Sequence, residues 1–195
     1  MSWFCQSVIF CSFRRFFGTA LSDKLFLLSK SLIRLVSSYL IMIDGVEVRD
    51  LQVNADERGH LVEVFREDWD EYNPEPAMSY YSMTFPGITR AWHRHHRGQI
   101  DHFVCPKGRI KIGVYDDRDD SPTQGELDTF SIGEHNQRIV RIPGDCWHGF
   151  KAIGDEPAFL INFPTNLYDY GDPDEERLPY DTDKIPLNWD AEPSG

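Results

Sequence analysis

Positive charge is scarce past residue 41: 15 basic residues stand against 31 acidic ones, a net of −16. So acidic a surface repels phosphate backbones, and no basic stripe with interleaved aromatics offsets it, which excludes nucleic acid as a partner. Cysteine is also sparse. Cys5, Cys11, Cys105 and Cys146 form no CxxC pair and no regular framework, so a disulfide scaffold is not expected; reduced thiols and a cytoplasmic setting are. Long apolar runs are missing too. Arg14, Arg15, Lys24, Lys30 and Arg34 interrupt every early window of about 20 residues, the length a membrane span needs. What is present is 41% hydrophobic and 13% aromatic residues in 195, enough for one cored domain plus a tail.

Residues 1–41 differ from the rest. They are rich in Ser, Phe, Leu and Arg and carry one acid, Asp23, a composition like that of a mitochondrial-type transit peptide. We read 1–41 as an N-terminal extension outside the fold and Met42 as the natural start of a domain spanning 42–195. An amphipathic surface helix over 24–41 is the competing reading.

From Gly45 onward no long amphipathic helix is predicted, and only Arg66 to Tyr72 suggests a helical turn. Ile110, Ile112 and Val114 alternate with Lys111 and Gly113, a period of two that marks a strand. Short apolar runs recur at 60–65, 79–84, 100–105, 109–115, 138–142, 147–152 and 158–163. Turn formers such as Pro106-Lys107-Gly108 and Pro143-Gly144-Asp145 separate them. The spacing predicts an all-β fold, a jelly roll of the cupin-type double-stranded β-helix class. Its acidic tail, from Asp169 to Gly195, offers Ile185, Leu187 and Trp189 as anchors.

Four of the seven histidines lie between Gly87 and Gly108. His93 and His95 share one side of an extended strand, and Asp101 would keep that parity if the strand ran on unbroken. His148 follows a Pro-Gly turn. His96 and His102 are expected at a rim or on the opposite face, and His60 and His135 on the surface. Trp92, Trp147 and Cys146 are expected to pack in the core. The acid run Asp172-Pro173-Asp174-Glu175-Glu176 is expected to be a solvated loop, and Arg58 to pair with Asp56 or Glu63.

An ordered set of short motifs then stands out: Asp56-Glu57-Arg58-Gly59 with Glu63, Arg90-Ala91-Trp92-His93, Asp116-Asp117-Arg118 before Ser121-Pro122-Thr123-Gln124-Gly125, and Trp147-His148-Gly149-Phe150. Over roughly residues 43–190 the chain resembles the dTDP-4-dehydrorhamnose 3,5-epimerase family. The resemblance implies a cupin-type jelly roll, usually a homodimer, that epimerises a nucleotide-linked 4-keto-6-deoxy sugar without a metal or other cofactor. It implies His93 as the base that removes a proton beside the ketone, with Asp181 behind it (Asp183 in the alternative register). It implies Arg58, Glu63, Arg90 and His148 as substrate-binding residues. The family's proton-donating tyrosine falls on Ile161, or on Asn162 after a one-residue shift, and neither is an acid; Tyr168, with Tyr170, lies nearest. Its lysine falls on Asp101, its glutamine two past the base on His95, and an earlier pocket glutamine on Met78.

Two other readings stay open. Gly87-x5-His93-x-His95, Asp101 and His148 also resemble the metal-binding cupins, whose imidazoles and carboxylate would suit a divalent ion. A non-catalytic sugar-nucleotide-binding jelly roll would fit Ile161 at the acid position.

Overall fold

The computed structural model describes residues 42–69 and 76–191. The expectations for residues 1–41 and for the end of the turn at Arg66 to Tyr72 lie outside the described residues; within them, the turn is closed by Trp69 N–H on the Arg66 carbonyl at 3.4 Å. The described strands, in chain order, are β1 (Glu47–Asp50), β2 (Val53–Asp56), β3 (Gly59–Val62), β4 (Tyr80–Thr84), β5 (Thr89–Arg94), β6 (Ile100–Lys107), β7 (Arg109–Tyr115), β8 (Leu127–Gly133), β9 (Arg138–Pro143), β10 (Trp147–Ala152), β11 (Ala158–Asn162) and β12 (Glu176–Arg177). No helix occurs among the described residues.

Two five-stranded antiparallel sheets, ordered β1-β9-β6-β11-β4 and β12-β5-β10-β7-β8, make the jelly roll, and β2–β3 forms a separate hairpin. The core explains the alternation read on β7. Ile110, Ile112 and Val114 point inward and meet Phe103 and Cys105 of β6, Val140 and Ile142 of β9, and Phe150 and Leu160. Strand β6 is buried on both faces, because Val104 packs with Leu51 and Ile139 in a second cluster, so it reads as a near-continuous apolar run.

A third cluster covers the outside of β7 and β5. Trp92, Trp147, Ile185 and Trp189 are buried together, with Leu187 packed against them, and the Trp92 and Trp189 rings lie 4.9 Å apart. The tail anchors expected from the sequence therefore hold a strap across the sheet. Gly113 permits this approach: a Cβ there would stand 2.7 Å from Leu187 Cδ2 and 2.8 Å from the Trp92 ring. Cys105 and Cys146 are free thiols, and burial pushes both up to about 12.

One inference of strand parity does not survive. The chain turns between β5 and β6 at Gly98, whose φ of +73° suits glycine. Asp101 therefore comes from the facing sheet, not from a continuation of the His93 strand. His95 lies just past β5, its N–H on the Gly144 carbonyl at 2.5 Å.

Candidate active site

Strands β5 and β10 place His93 directly opposite His148 in register, and their ring centroids are 4.1 Å apart. His95 completes a triangle, 5.6 Å from His93 and 5.7 Å from His148. Asp101 enters from β6. Its Oδ2 lies 3.0 Å from His148 Nε2 and 3.4 Å from His95 Nε2. Its Oδ1 accepts from Gln99 Nε2 at 3.0 Å and from Asn162 Nδ2 at 2.7 Å. Four nitrogens thus surround this buried carboxylate, and a buried charge is tolerated only when it is paired and hydrogen-bonded.

Backbone carbonyls fix the rings. His148 Nδ1 donates to Cys146 O at 2.9 Å, which turns Nε2 toward Asp101. His95 Nδ1 donates to Asp174 O at 2.5 Å. Burial opposes ionisation of Asp101, but its bonds to His148 and His95 outweigh that and hold its pKa well below the ordinary carboxylate range. Burial likewise opposes charging of His95, yet the Asp101 carboxylate and the Asp174 carbonyl hold its pKa above the usual value. His93 behaves oppositely: burial, then the neighbouring His148, push it well below the ordinary histidine value. Near pH 7 its ring is neutral and carries a lone pair.

His93 is also the imidazole that meets both open spaces of the site. A cavity of about 510 Å³ is lined by His93 with Tyr80, Ser82, Thr89, Arg90 and Arg177. A neighbouring one of about 400 Å³ adds His95, Arg97 and Tyr168. Two guanidiniums in the first suit phosphate oxygens.

The expected residues divide accordingly. The structure brings together His93, Arg90 and, at the second cavity, Tyr168, whose ring packs 5.0 Å from Tyr170. His148 is fully buried and lines neither cavity; its nitrogens meet the Cys146 carbonyl and Asp101, and its ring borders His93. Asp181 is exposed in the turn closed by Thr182 N–H on Pro179 O, and lines neither cavity. The carboxylate among the imidazoles is Asp101. Arg58 sits at the tip of the β2–β3 hairpin, paired with Asp56, and Glu63 pairs with Arg66 at 2.8 Å, both away from the two cavities.

The acid run is not a solvated loop. The Asp174 carboxylate accepts from the His96 and Arg97 amides at 2.9 and 2.8 Å, and Glu176 pairs with Arg94 at 2.7 Å. These bonds lay β12 along β5 and carry Arg177 to the cavity. Sequence reasoning missed Tyr80, Asn162 as a hydrogen-bonding hub, Glu175 and Arg177. The alternation of Met78, Tyr80 and Ser82 was the available signal for Tyr80. Trp147 donates Nε1–H to Asp117 at 2.8 Å beneath the Arg94 guanidinium and so serves packing. The Asp116 motif is structural as well: its carboxylate takes Arg118, Ser121 and Thr123 and pins the loop.

Comparison with known proteins gives one family. The family model described as dTDP-4-dehydrorhamnose 3,5-epimerase matches residues 41–195. The chain is 78% identical over 153 residues to the probable low-salt glycan biosynthesis epimerase Agl13 of Haloferax volcanii, covering 78% of this chain and 98% of the relative. It is 36% identical over 151 residues to the spore coat polysaccharide biosynthesis protein SpsL of Bacillus subtilis, covering 77% and 99%. Among solved structures, a dTDP sugar isomerase from Desulfovibrio desulfuricans G20 superposes with TM-score 0.72 at 32% identity, covering 78% of this chain and 98% of that one. NovW, a 4-keto-6-deoxy sugar epimerase from Streptomyces spheroides, gives 0.70 at 25% identity, covering 78% of each.

Proposed function

The chain belongs to the dTDP-4-dehydrorhamnose 3,5-epimerase family, and on that premise we propose that it epimerises a dTDP-linked 4-keto-6-deoxy sugar in the biosynthesis of a surface glycan or polysaccharide. His93 is the base. It removes the proton from a carbon next to the ketone, the C–H electrons pass into the enolate, and a proton returned from the other face inverts the centre. The observation that supports this most is the state of that ring: neutral, bordering both cavities, and 4.1 Å from a histidine that Asp101 holds. A base placed so contributes about 10²–10⁴-fold. Arg90 and Arg177 grip the diphosphate. No cofactor is required for this chemistry.

The test is product analysis. With dTDP-4-keto-6-deoxyglucose, the enzyme is expected to form an epimer detectable by NMR, and a His93→Ala variant to lose it. Binding of the nucleotide sugar with no turnover would instead mark a carbohydrate-binding jelly roll.

A second reading has one specific observation behind it. Single ligand atoms of His93, His95, Asp101 and His148 lie within 4.8 Å of one another. The carbonyls on Nδ1 of His95 and His148 orient these rings as metal ligands are usually oriented. The 3.0 and 3.4 Å spacings also approximate edges of a polyhedron with metal–nitrogen bonds of about 2.0–2.1 Å. These four residues would hold a divalent ion, which would polarise a bound oxygen. Against it, Asp101 is already saturated with donors. Stoichiometric zinc, iron, manganese or nickel in purified protein, lost on His95→Ala, would favour this reading over the first.

A homodimer is part of the proposal. Edge strand β4 exposes Tyr81, and Met83 and the adjoining Phe85 extend this apolar edge, while Val53 and Leu61 on the hairpin are exposed too. Light scattering is expected to give twice the chain mass. We place the enzyme in the cytoplasm, which the free buried thiols support.

A further inference from the structure

We propose that Tyr80 delivers the proton that completes inversion, in place of the acid that Ile161 and Asn162 cannot supply. The inference rests on His93 acting as base. It comes from the orientation of one amide. Asn162 Oδ1 accepts the buried backbone N–H of His102 at 2.9 Å, which fixes the side chain's two ends. Nδ2 must then face the other way, and its two hydrogens go to Asp101 Oδ1 at 2.7 Å and to the Tyr80 hydroxyl oxygen at 3.0 Å. The Tyr80 oxygen is therefore an acceptor from Asn162, and its own hydrogen points elsewhere.

Both cavities of the site lie beside it. Tyr80 borders both cavities that His93 borders, but the two arrive from opposite sheets, β4 and β5. A sugar ring lying between them would present one face to the imidazole and the other to the phenol, the arrangement that inversion demands. Strand pairing explains how the swap is built: Tyr80 sits directly across from Asn162 in the β4–β11 ladder. The position after Ile161 thus holds the phenol instead of being it. Asn162 also supplies a hydrogen bond to the phenolate left after transfer. Burial, together with the Asp101 and Glu175 charges, outweighs that bond and raises the Tyr80 pKa, so the phenol keeps its proton at neutral pH until the enolate carbon takes it.

The step balances without a co-reactant. His93 takes the carbon-bound proton and becomes imidazolium; the enolate collapses as its carbon takes the Tyr80 hydrogen, leaving a phenolate. Both groups then re-equilibrate with water.

The decisive comparison separates exchange from inversion in D₂O, using dTDP-4-keto-6-deoxyglucose. Wild-type enzyme is expected to incorporate deuterium and to invert. Tyr80→Phe is expected to keep the wash-in of deuterium into unepimerised substrate, because His93 can return a solvent-derived proton to the same face, while inversion falls at least about 100-fold. Tyr180→Phe, at an exposed tyrosine that lines neither cavity, should invert normally. Tyr80→Phe that inverts at the wild-type rate overturns the assignment, as does loss of wash-in and inversion together in a variant that still binds thymidine diphosphate. Absence of wash-in in the wild type would instead remove His93 as base. Should the Phe variant not fold, 3-fluorotyrosine at position 80 gives a more acidic phenol of nearly equal size. An altered ratio of inversion to wash-in then supports the transfer, and an unchanged ratio overturns it.

Discussion

The Nε2 of His148 stands 3.0 Å from Oδ2 of Asp101, with both side chains fully buried between the sheets. A charge so placed is tolerated only while it is paired, and losing one partner of a buried pair costs about 3–5 kcal/mol. Asp101→Ala is therefore expected to lower unfolding free energy by about that amount in urea or guanidinium titrations. His135→Ala, at an exposed side chain, should change it by less than about 0.5 kcal/mol.

Stability should depend on pH in both directions. The Asp101 pKa is lowered on folding, so its contribution is present above the unfolded value of about 3.9 and is lost as pH falls through the folded one. His95 is raised, so its contribution is full below about 6.5 and fades as pH rises through its folded value. Thermal unfolding across pH is expected to show the cluster's support greatest between these limits. In Asp101→Asn the acid-side decline should be much shallower.

Catalysis should tolerate acid better than an ordinary histidine allows. Burial and the adjacent His148 keep His93 neutral well below its usual titration range. The acid limb of kcat/KM is expected below about 6.5. A limb at or above that value would mean that burial and the His148 contact at 4.1 Å do not depress His93.

Arg177 reaches the cavity only because β12 is laid along β5. A guanidinium on phosphate oxygens contributes a strong charge-assisted bond. Arg177→Ala is expected to raise KM about 10–100-fold with a smaller change in kcat, as loss of uniform binding requires. Steady-state kinetics of Arg177→Ala and Arg90→Ala side by side would check this.

The strap can be tested through Trp189, whose ring lies tilted 4.9 Å from that of Trp92, the residue before His93. Trp189→Ala should cost about 3–5 kcal/mol, the usual range for truncating a buried aromatic. Thermal unfolding would show it.

Much of the barrel was legible because its signals are local. The runs at 109–115 and 147–152 coincide with β7 and β10, and those at 79–84, 138–142 and 158–163 match β4, β9 and β11 within a residue. The run at 60–65 proved shorter as β3, and β1, β2, β8 and β12 were not anticipated. Short, exposed strands such as β2 bury too little apolar surface to impose a pattern. His93 was legible from its motif and Arg90 from its place beside it. Asp101 was visible as a group, but its route was not, because parity along one strand says nothing about a partner from the facing sheet. Asp181 looked apt by order along the chain, yet the chain's return after Asp169 brings Asp174 and Arg177 inward and leaves Asp181 on a turn. Tyr80 escaped because its role depends on an amide 82 residues away.

The most direct measurement is isotope exchange on a His93→Asn variant. Nucleotide-sugar binding is followed in parallel by calorimetry. Wild-type enzyme in D₂O should place deuterium on a carbon flanking the ketone, while the variant binds with similar affinity and places none. Deuterium entering at the wild-type rate without the His93 imidazole would contradict it as the base.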